Sequence, residues 1–238
     1  MAKLDDARVV VIGGASGVGF AVAAAALEAG AEVVVGSSRA PRIEAAAEKL
    51  GRGATGRTVD VTDEVSVAAF FEAAGPFDHL VFTAGDWGHL FGPPTRDLDV
   101  EASKARMEVR FWGAARAAKH AVRKIAKDGS ITLTGGMLAH RPMPGAPLIT
   151  ASANTTEGLA LGLARDLAPV RVNAVCLGLI MSEQAQAMGE AMTKAFTANL
   201  PLPRGGTVEE AAEAYLYLMR ATYVTGQVVR VDGGGSLV

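Results

Sequence analysis

Near the start of the chain, Ile12-Gly13-Gly14-Ala15-Ser16-Gly17-Val18-Gly19 follows a β-branched run and opens an alanine-rich helical stretch. In that setting Gly13 permits a tight turn, Gly17 lets the backbone approach a pyrophosphate, and Gly19 allows the helix to pack closely on the strand. The first N–H groups of a helix have no partner inside it, so with Ser16 and Val18 they can receive phosphate oxygens. A glycine turn alone is weak evidence. Strand, turn and helix together point to dinucleotide binding.

Charge then selects the dinucleotide. A site for NAD(H) usually sets a carboxylate at the end of the second strand, about twenty residues past the glycines, on the ribose 2′-hydroxyl. Here that region reads Gly36-Ser37-Ser38-Arg39, with no acid. A guanidinium and hydroxyls suit a 2′-phosphate, which a carboxylate would repel. Ser38 and Arg39 are therefore expected to bind NADP(H). The competing reading of Arg39 is a solvated loop residue.

The elements that must hold these groups alternate. Strands are expected at 9–12, 32–35, 58–61, 79–83, 130–134, 171–177 and 227–231. Helices are expected at 18–29, 42–50, 65–74, 101–127 and 150–167, with a last one after Thr207. Continuous apolar strands are buried on both faces. The pattern predicts an α/β fold: one Rossmann-type, doubly wound parallel sheet of about seven strands. A single NADP(H)-binding domain is expected over residues 1–238. The segment 182–200 reads as a helical flap, with Met181, Met188 and Met192 forming an apolar lid. A Pro/Gly-rich loop is expected at 143–147.

Composition narrows the class. The chain has 238 residues, half of them hydrophobic, so a large core needs neither disulfides nor metals. The net charge of −2, from 23 basic and 25 acidic residues, gives no reason to expect a nucleic-acid partner. Cys176 is the single cysteine, and no Cys/His cluster has zinc spacing, so no metal site is expected. A reducing cytoplasm suits one buried thiol, read as a small hydrophobe. The apolar run 9–12 is too short for a signal or membrane segment, and a soluble protein with a small-molecule substrate is expected.

The glycine spacing, Gly-x-x-x-Gly-x-Gly, resembles that of the short-chain dehydrogenase/reductase family, and the resemblance covers nearly the whole chain. Asp60-Val61 looks like the family's adenine contact. Thr83-Ala84-Gly85 matches the tail of its Asn-Asn-Ala-Gly motif, with Phe82 and Thr83 at the asparagines. Arg171-Val172-Asn173-Ala174-Val175 resembles its sixth strand. Leu177-Gly178 through Ser182 is similar to Pro-Gly-x-x-x-Thr, and Val231-Asp232-Gly233-Gly234 to the closing motif. The resemblance implies cofactor contacts from Ala84, Gly85, Gly178, Ile180 and Ser182. It also implies a homodimer or homotetramer paired through the helices at 101–127 and 150–167. Gly113, Gly158 and Gly162 would permit close approach there, and Trp112 reads as core or interface.

The family's chemistry uses Asn, Ser, Tyr and Lys. The register set by Glu157-Gly158-Leu159 and 163–168 places the Tyr-x-x-x-Lys pair on Ile149 and Ala153, the Ser on Gly136 and the Asn on Arg110. The only tyrosines are Tyr215, Tyr217 and Tyr223, and no lysine lies between Lys127 and Lys194, so no small slip restores the set. Thr134, Thr150 and Ser152 are the nearest hydroxyls, and Thr134 is expected to face away. Asn154 or Arg110 could stand in for the lysine. His140 and Arg110 are the candidates for carrying chemistry, ahead of Asp86 and His89. The competing readings are an exposed loop for His140 and an ion pair with Glu108 or Glu157 for Arg110. Three functions stay open: an NADP(H)-dependent oxidoreductase with an altered site, a catalytically inactive NADP(H) sensor or scaffold, and a non-redox enzyme on the same fold. The first would reduce an electrophile that needs little protonation, such as an iminium or an activated alkene.

Overall fold

The computed structural model describes residues 4–85 and 95–238. The described chain runs β1 (Arg8–Ile12), α1 (Gly17–Glu28), β2 (Glu32–Ser37), α2 (Ala40–Leu50), β3 (Ala54–Thr58), α3 (Glu64–Ala74) and β4 (Phe77–Phe82). After 85 it resumes with α4 (Val100–Met107), a π-helical turn (Glu108–Trp112), α5 (Gly113–Ala121), β5 (Ile125–Gly136), α6 (Pro147–Asp166) and β6 (Arg171–Leu177). It ends with α7 (Glu183–Gln186), α8 (Glu190–Thr197), α9 (Val208–Arg220) and β7 (Val228–Val231).

These seven strands form one parallel sheet in the order β3-β2-β1-β4-β5-β6-β7. The chain winds outward from β1 to β3, then crosses to β4 and winds the other way. The reversal opens a crevice at the carboxyl ends of β1 and β4. Successive side chains on a strand point to opposite faces, and β1 supplies both cores. Val9 and Val11 pack with Val22, Ala26, Tyr215 and Leu218 of α1 and α9. Val10 and Ile12 pack with Phe70, Phe71 and Ala117 of α3 and α5. The doubly wound single-domain fold expected from the sequence is present.

Two boundaries differ from expectation. The third strand lies at Ala54–Thr58, not 58–61. It pairs only with β2, from Val33↔Ala54 to Ser37↔Thr58. An edge strand needs no continuous apolar run, and Ala-Thr-Gly-Arg-Thr carries none. The buried Val59 and Val61 that suggested a strand follow it instead. The expected helix at 101–127 is interrupted by the π-turn and stops at Ala121, because β5 already begins at Ile125, opposite Phe77. Pro147 belongs to α6 rather than to the preceding loop; a proline is tolerated in a first helical turn, where its missing N–H has no partner to lose.

The segment after β6 leaves and returns through a narrow neck. Met181 N donates to Gly206 O at 2.8 Å, and Gly206 N donates to Leu179 O at 3.0 Å. The helices α7 and α8 lie between these roots. Thr207 and Glu210 form a reciprocal capping box at α9. Arg204 grips Glu210 in two bonds of 2.8 and 2.6 Å. Arg171 closes the other end of α9, donating to the carbonyls of Leu218, Met219 and Ala221 at 2.6, 2.8 and 3.0 Å. No helix among the described residues is long and apolar enough to cross a membrane.

Candidate active site

The turn between β1 and α1 interlocks with the end of β4. Gly13 has φ +95°, and a Cβ there would lie 2.5 Å from Thr83 Oγ1 and 2.6 Å from Ala84 N. Thr83 N and Ala84 N both donate to Ile12 O, at 2.8 and 3.1 Å. Thr83-Ala84-Gly85 is thereby held beside the glycine turn. Ser16 is the N-cap of α1, but its hydroxyl closes none of the helix's first amides, and no acid sits in the first turn. That end of the helix keeps its partial positive charge. Gly17 has φ +55°, and a Cβ on it would lie 3.5 Å from the Ser182 Cβ. Ser182 therefore stands over the N-terminus of α1. Val18 follows in the first turn, and Gly19 lies so close to the Gly13 carbonyl that a side chain would collide with it.

Around this cradle sit the other expected contacts. Arg39 is the exposed N-cap of α2, beside exposed Ser38, and its guanidinium has no partner among the described residues. Asp60 Oδ1 accepts from Thr62 N at 2.9 Å and Thr62 Oγ1 at 2.7 Å. These bonds, the backbone one first, hold its carboxyl below the usual range. Val61 is buried against Gly113, where a Cβ would lie 2.8 Å from Val61 Cγ2. Gly178 packs on the backbone of Asp232, which accepts from Gly234 N at 2.9 Å and Ser236 N at 2.8 Å. That bracing fixes the path from Gly178 through Ile180 to Ser182.

The facing wall is less polar. Gly136 ends β5 in an extended conformation. Ile149 and Ala153 are buried on α6, and Ile149 packs with Leu138, Ala146 and Met143. Asn154 donates to the Ala139 and Thr150 carbonyls at 3.2 and 3.0 Å, pinning the preceding turn to α6. Thr134 is withheld from the crevice by α9, not by strand alternation: residues two apart share a face. Its hydroxyl donates to Phe82 O at 2.7 Å and accepts from the Tyr215 phenol at 2.8 Å. Burial pushes that phenol's pKa up.

Of the two catalytic candidates, Arg110 faces the end of β4. It lies in the π-turn, only 9 % exposed, and a Cβ on Gly85 would be 3.0 Å from its Nε and 3.1 Å from its Nη2. Glu108 pairs with Arg116 at 2.5 Å and Glu157 with His140 at 2.9 Å. His140 turns the other way, toward β6 and β7. Arg230 Nη2 stands 3.2 Å from His140 Nδ1. A guanidinium only donates, so Nδ1 accepts and Nε2–H is the donor to Glu157. Cys176 lies in the same cluster, and burial first, then Glu157 and Asp232, pushes its thiol up to about 12. Asp86 and His89 lie outside the described residues.

The sequence reading missed Glu157 as the partner of His140, and it missed Arg230 and Tyr215. One signal existed. Glu157 is one helical turn beyond Ala153 and so shares its face. The other two come from distant elements and carry no local sign.

A family model described as enoyl-(acyl carrier protein) reductase matches residues 13–236. The short-chain dehydrogenase/reductase ucsE of an Acremonium species is 34% identical over 98% of this chain and 96% of its own length. The chain belongs to the short-chain dehydrogenase/reductase family. Among solved members, the MalC reductase/Diels-Alderase of Malbranchea aurantiaca superposes with a TM-score of 0.91 at 30% identity, covering 99% of this chain and 98% of that one. An NADPH-bound short chain oxidoreductase from Pseudomonas aeruginosa PAO1, described as containing an atypical catalytic center, superposes at 0.88 with 30% identity, over 97% of this chain and 98% of that one.

Proposed function

We propose that this short-chain dehydrogenase/reductase is an NADP(H)-dependent oxidoreductase with a non-standard catalytic set. One observation carries the reading: a buried Arg110 lies against Gly85 at the mouth of the glycine cradle. In the register read from the sequence, the family's Ser, Tyr and Lys positions would fall on Gly136, Ile149 and Ala153. The cradle itself fits a dinucleotide. Gly13 and Gly19 let the turn pack on Thr83-Ala84 and on itself so closely that no side chain would fit, and Arg39 has no partner among the described residues to compete with a 2′-phosphate. Gly13, Ser16, Gly17, Val18, Gly19, Ala84, Gly85, Gly178, Ile180 and Ser182 would line its phosphates and nicotinamide, and Ser38, Arg39, Asp60 and Val61 its adenosine end. The bound cofactor would supply a hydride at the nicotinamide C4.

The chain's own contribution follows from its side chains. Neither Ile149 nor Ala153 can donate a proton or bind a ribose hydroxyl. Arginine stays protonated in proteins, so Arg110 would stabilise developing negative charge rather than give up a proton. Water or solvent-exchanged groups would then deliver the proton after hydride transfer. His140 has both ring nitrogens engaged, and it would act by positioning the turn after β5. The substrate class is an electrophile that accepts hydride with little acid assistance, an activated alkene or an iminium. The segment 182–200, rooted at Ser182 above the cradle, would cover it. The exposed Trp112 and Leu161, 52% and 53% accessible on the two pairing helices, support a homodimer or homotetramer.

The test is NADPH oxidation against a panel of carbonyls, imines and enones. Turnover of an imine or enone is the expected result. Tight NADPH binding with no turnover across the panel would overturn the reading in favour of a sensor. A monomer by light scattering at micromolar concentration would remove the assembly proposal alone.

A further inference from the structure

Away from the glycine cradle and Arg110, three donor side chains converge from three elements. His140 comes from the turn after β5, Glu157 from α6 and Cys176 from β6, and their donor atoms all lie within 4.8 Å of one another. His140 Nε2 and Glu157 Oε1 are 2.9 Å apart. Cys176 is fully buried, while the Glu157 and His140 side chains keep 12% and 23% exposure, which leaves a way in from the His140 side. Nitrogen, oxygen and sulfur ligands bind zinc at about 2.0–2.3 Å, so the donors of one ion lie roughly 3.3–3.8 Å from each other. A pair at the 4.8 Å limit reaches that spacing by closing about 1.0–1.5 Å, shared between its two side chains. We infer that His140, Glu157 and Cys176 form a site for one borderline divalent cation of the zinc type, with a fourth position open to water.

The metal-free cluster already has the form of such a site, with protons in the place of the ion. The imidazole Nε2–H bonds to Glu157, and the Cys176 thiol, its sulfur within 4.8 Å of both, carries a second hydrogen. A divalent cation would take the place of these two hydrogens. The thiol proton would go to solvent, and the imidazole proton would move from Nε2 to Nδ1. Arg230 would then give up its bond to Nδ1, and its exposed side chain can turn to water. Carboxylate and thiolate together balance the two charges of the ion, which satisfies the rule that a buried charge must be paired. The ion would tie the turn after β5 to α6 and β6, stiffening a wall of the crevice. Sequence spacing gave no sign of a metal site because the three ligands come from separate elements.

Cobalt(II) provides the test, since Cys176 is the only cysteine in the chain. A thiolate-to-cobalt charge-transfer band in the near ultraviolet can arise from nowhere else. The cofactor-free chain should develop that band, saturate at one equivalent and lose it to zinc. Cys176→Ser, which nearly conserves volume, should abolish it. His140→Ala and Glu157→Gln should each weaken cobalt binding by on the order of tenfold or more, at least the loss seen for outer-shell partners. The wild-type spectrum alone decides the matter if a variant fails to fold. No band in wild type, or a band unchanged in both His140→Ala and Glu157→Gln, overturns the inference. The readout needs no turnover, so it stands or falls apart from the oxidoreductase proposal.

Discussion

At the β1–α1 turn the chain meets the crevice with backbone: two glycines that admit no side chain, the carbonyl of Ile12, and the open amides of a helix. At the β5–α6 turn it meets the crevice with side chains: Ile149, Ala153, and Arg110 from the neighbouring π-turn. The first kind of site is a by-product of the fold. A change there strikes Thr83, Ala84 or Gly13 and damages the sheet's own joints. The second kind can be rewritten without touching the frame, since Ile149 and Ala153 simply join the apolar packing of α6. The contrast shows which of the two regions can change its side chains without disturbing the fold.

The contrast can be broken most decisively through its substrate side. A missing acid is worth about 10²–10⁴-fold in rate, so simple ketones should turn over at least that much more slowly than the best enone or imine. Steady-state kinetics on matched pairs measures the ratio, and a ratio near unity would show that the proton donor has been misplaced. Arg110→Ala comes next. It should lower kcat/KM for the best substrate by about 10²-fold, the scale of one oxyanion donor. An unchanged value would move the chemistry elsewhere.

On the cofactor side, wild type should prefer NADPH to NADH by about tenfold, near 1.4 kcal/mol, and Arg39→Ala should erase most of that preference. Equal affinities by fluorescence titration would remove the 2′-phosphate assignment. The smallest effect belongs to the frame that both regions share. Tyr215→Phe deletes a buried hydroxyl but leaves Thr134 bonded to Phe82 O. It should cost about 1 kcal/mol in urea unfolding and leave the reaction alone. A large loss of activity would make Tyr215 part of the site.

Much of the frame could be read from local pattern. Buried parallel strands advertise themselves as β-branched runs, and β1, β2 and β6 stand where those runs lie. β3 escaped because an edge strand is held by one ladder and needs no such run. The long helix before β5 escaped in part because a π-turn leaves helical composition unchanged while altering which way Arg110 points. The glycine turn was legible because glycine there answers a steric demand. The cluster around His140 was not. Glu157, Cys176 and Arg230 meet only because α6 crosses the sheet where β6 and β7 lie side by side, with Cys176 opposite Arg230. Tyr215 met Thr134 in the same way, across the sheet's other face.

The neck between Leu179 and Gly206 has a meaning for how such chains diversify. A loop whose ends are already bonded to each other hands no strain to the body that carries it. Its entropy grows only slowly with length, by about 0.6 kcal/mol for each doubling. The stretch 183–196, which ends before Leu200 and Leu202 return to Gly235 and Gly233, is therefore a cassette. It can be lengthened, shortened or exchanged while the sheet beneath folds as before, and new substrate shapes can be tried there at small thermodynamic risk.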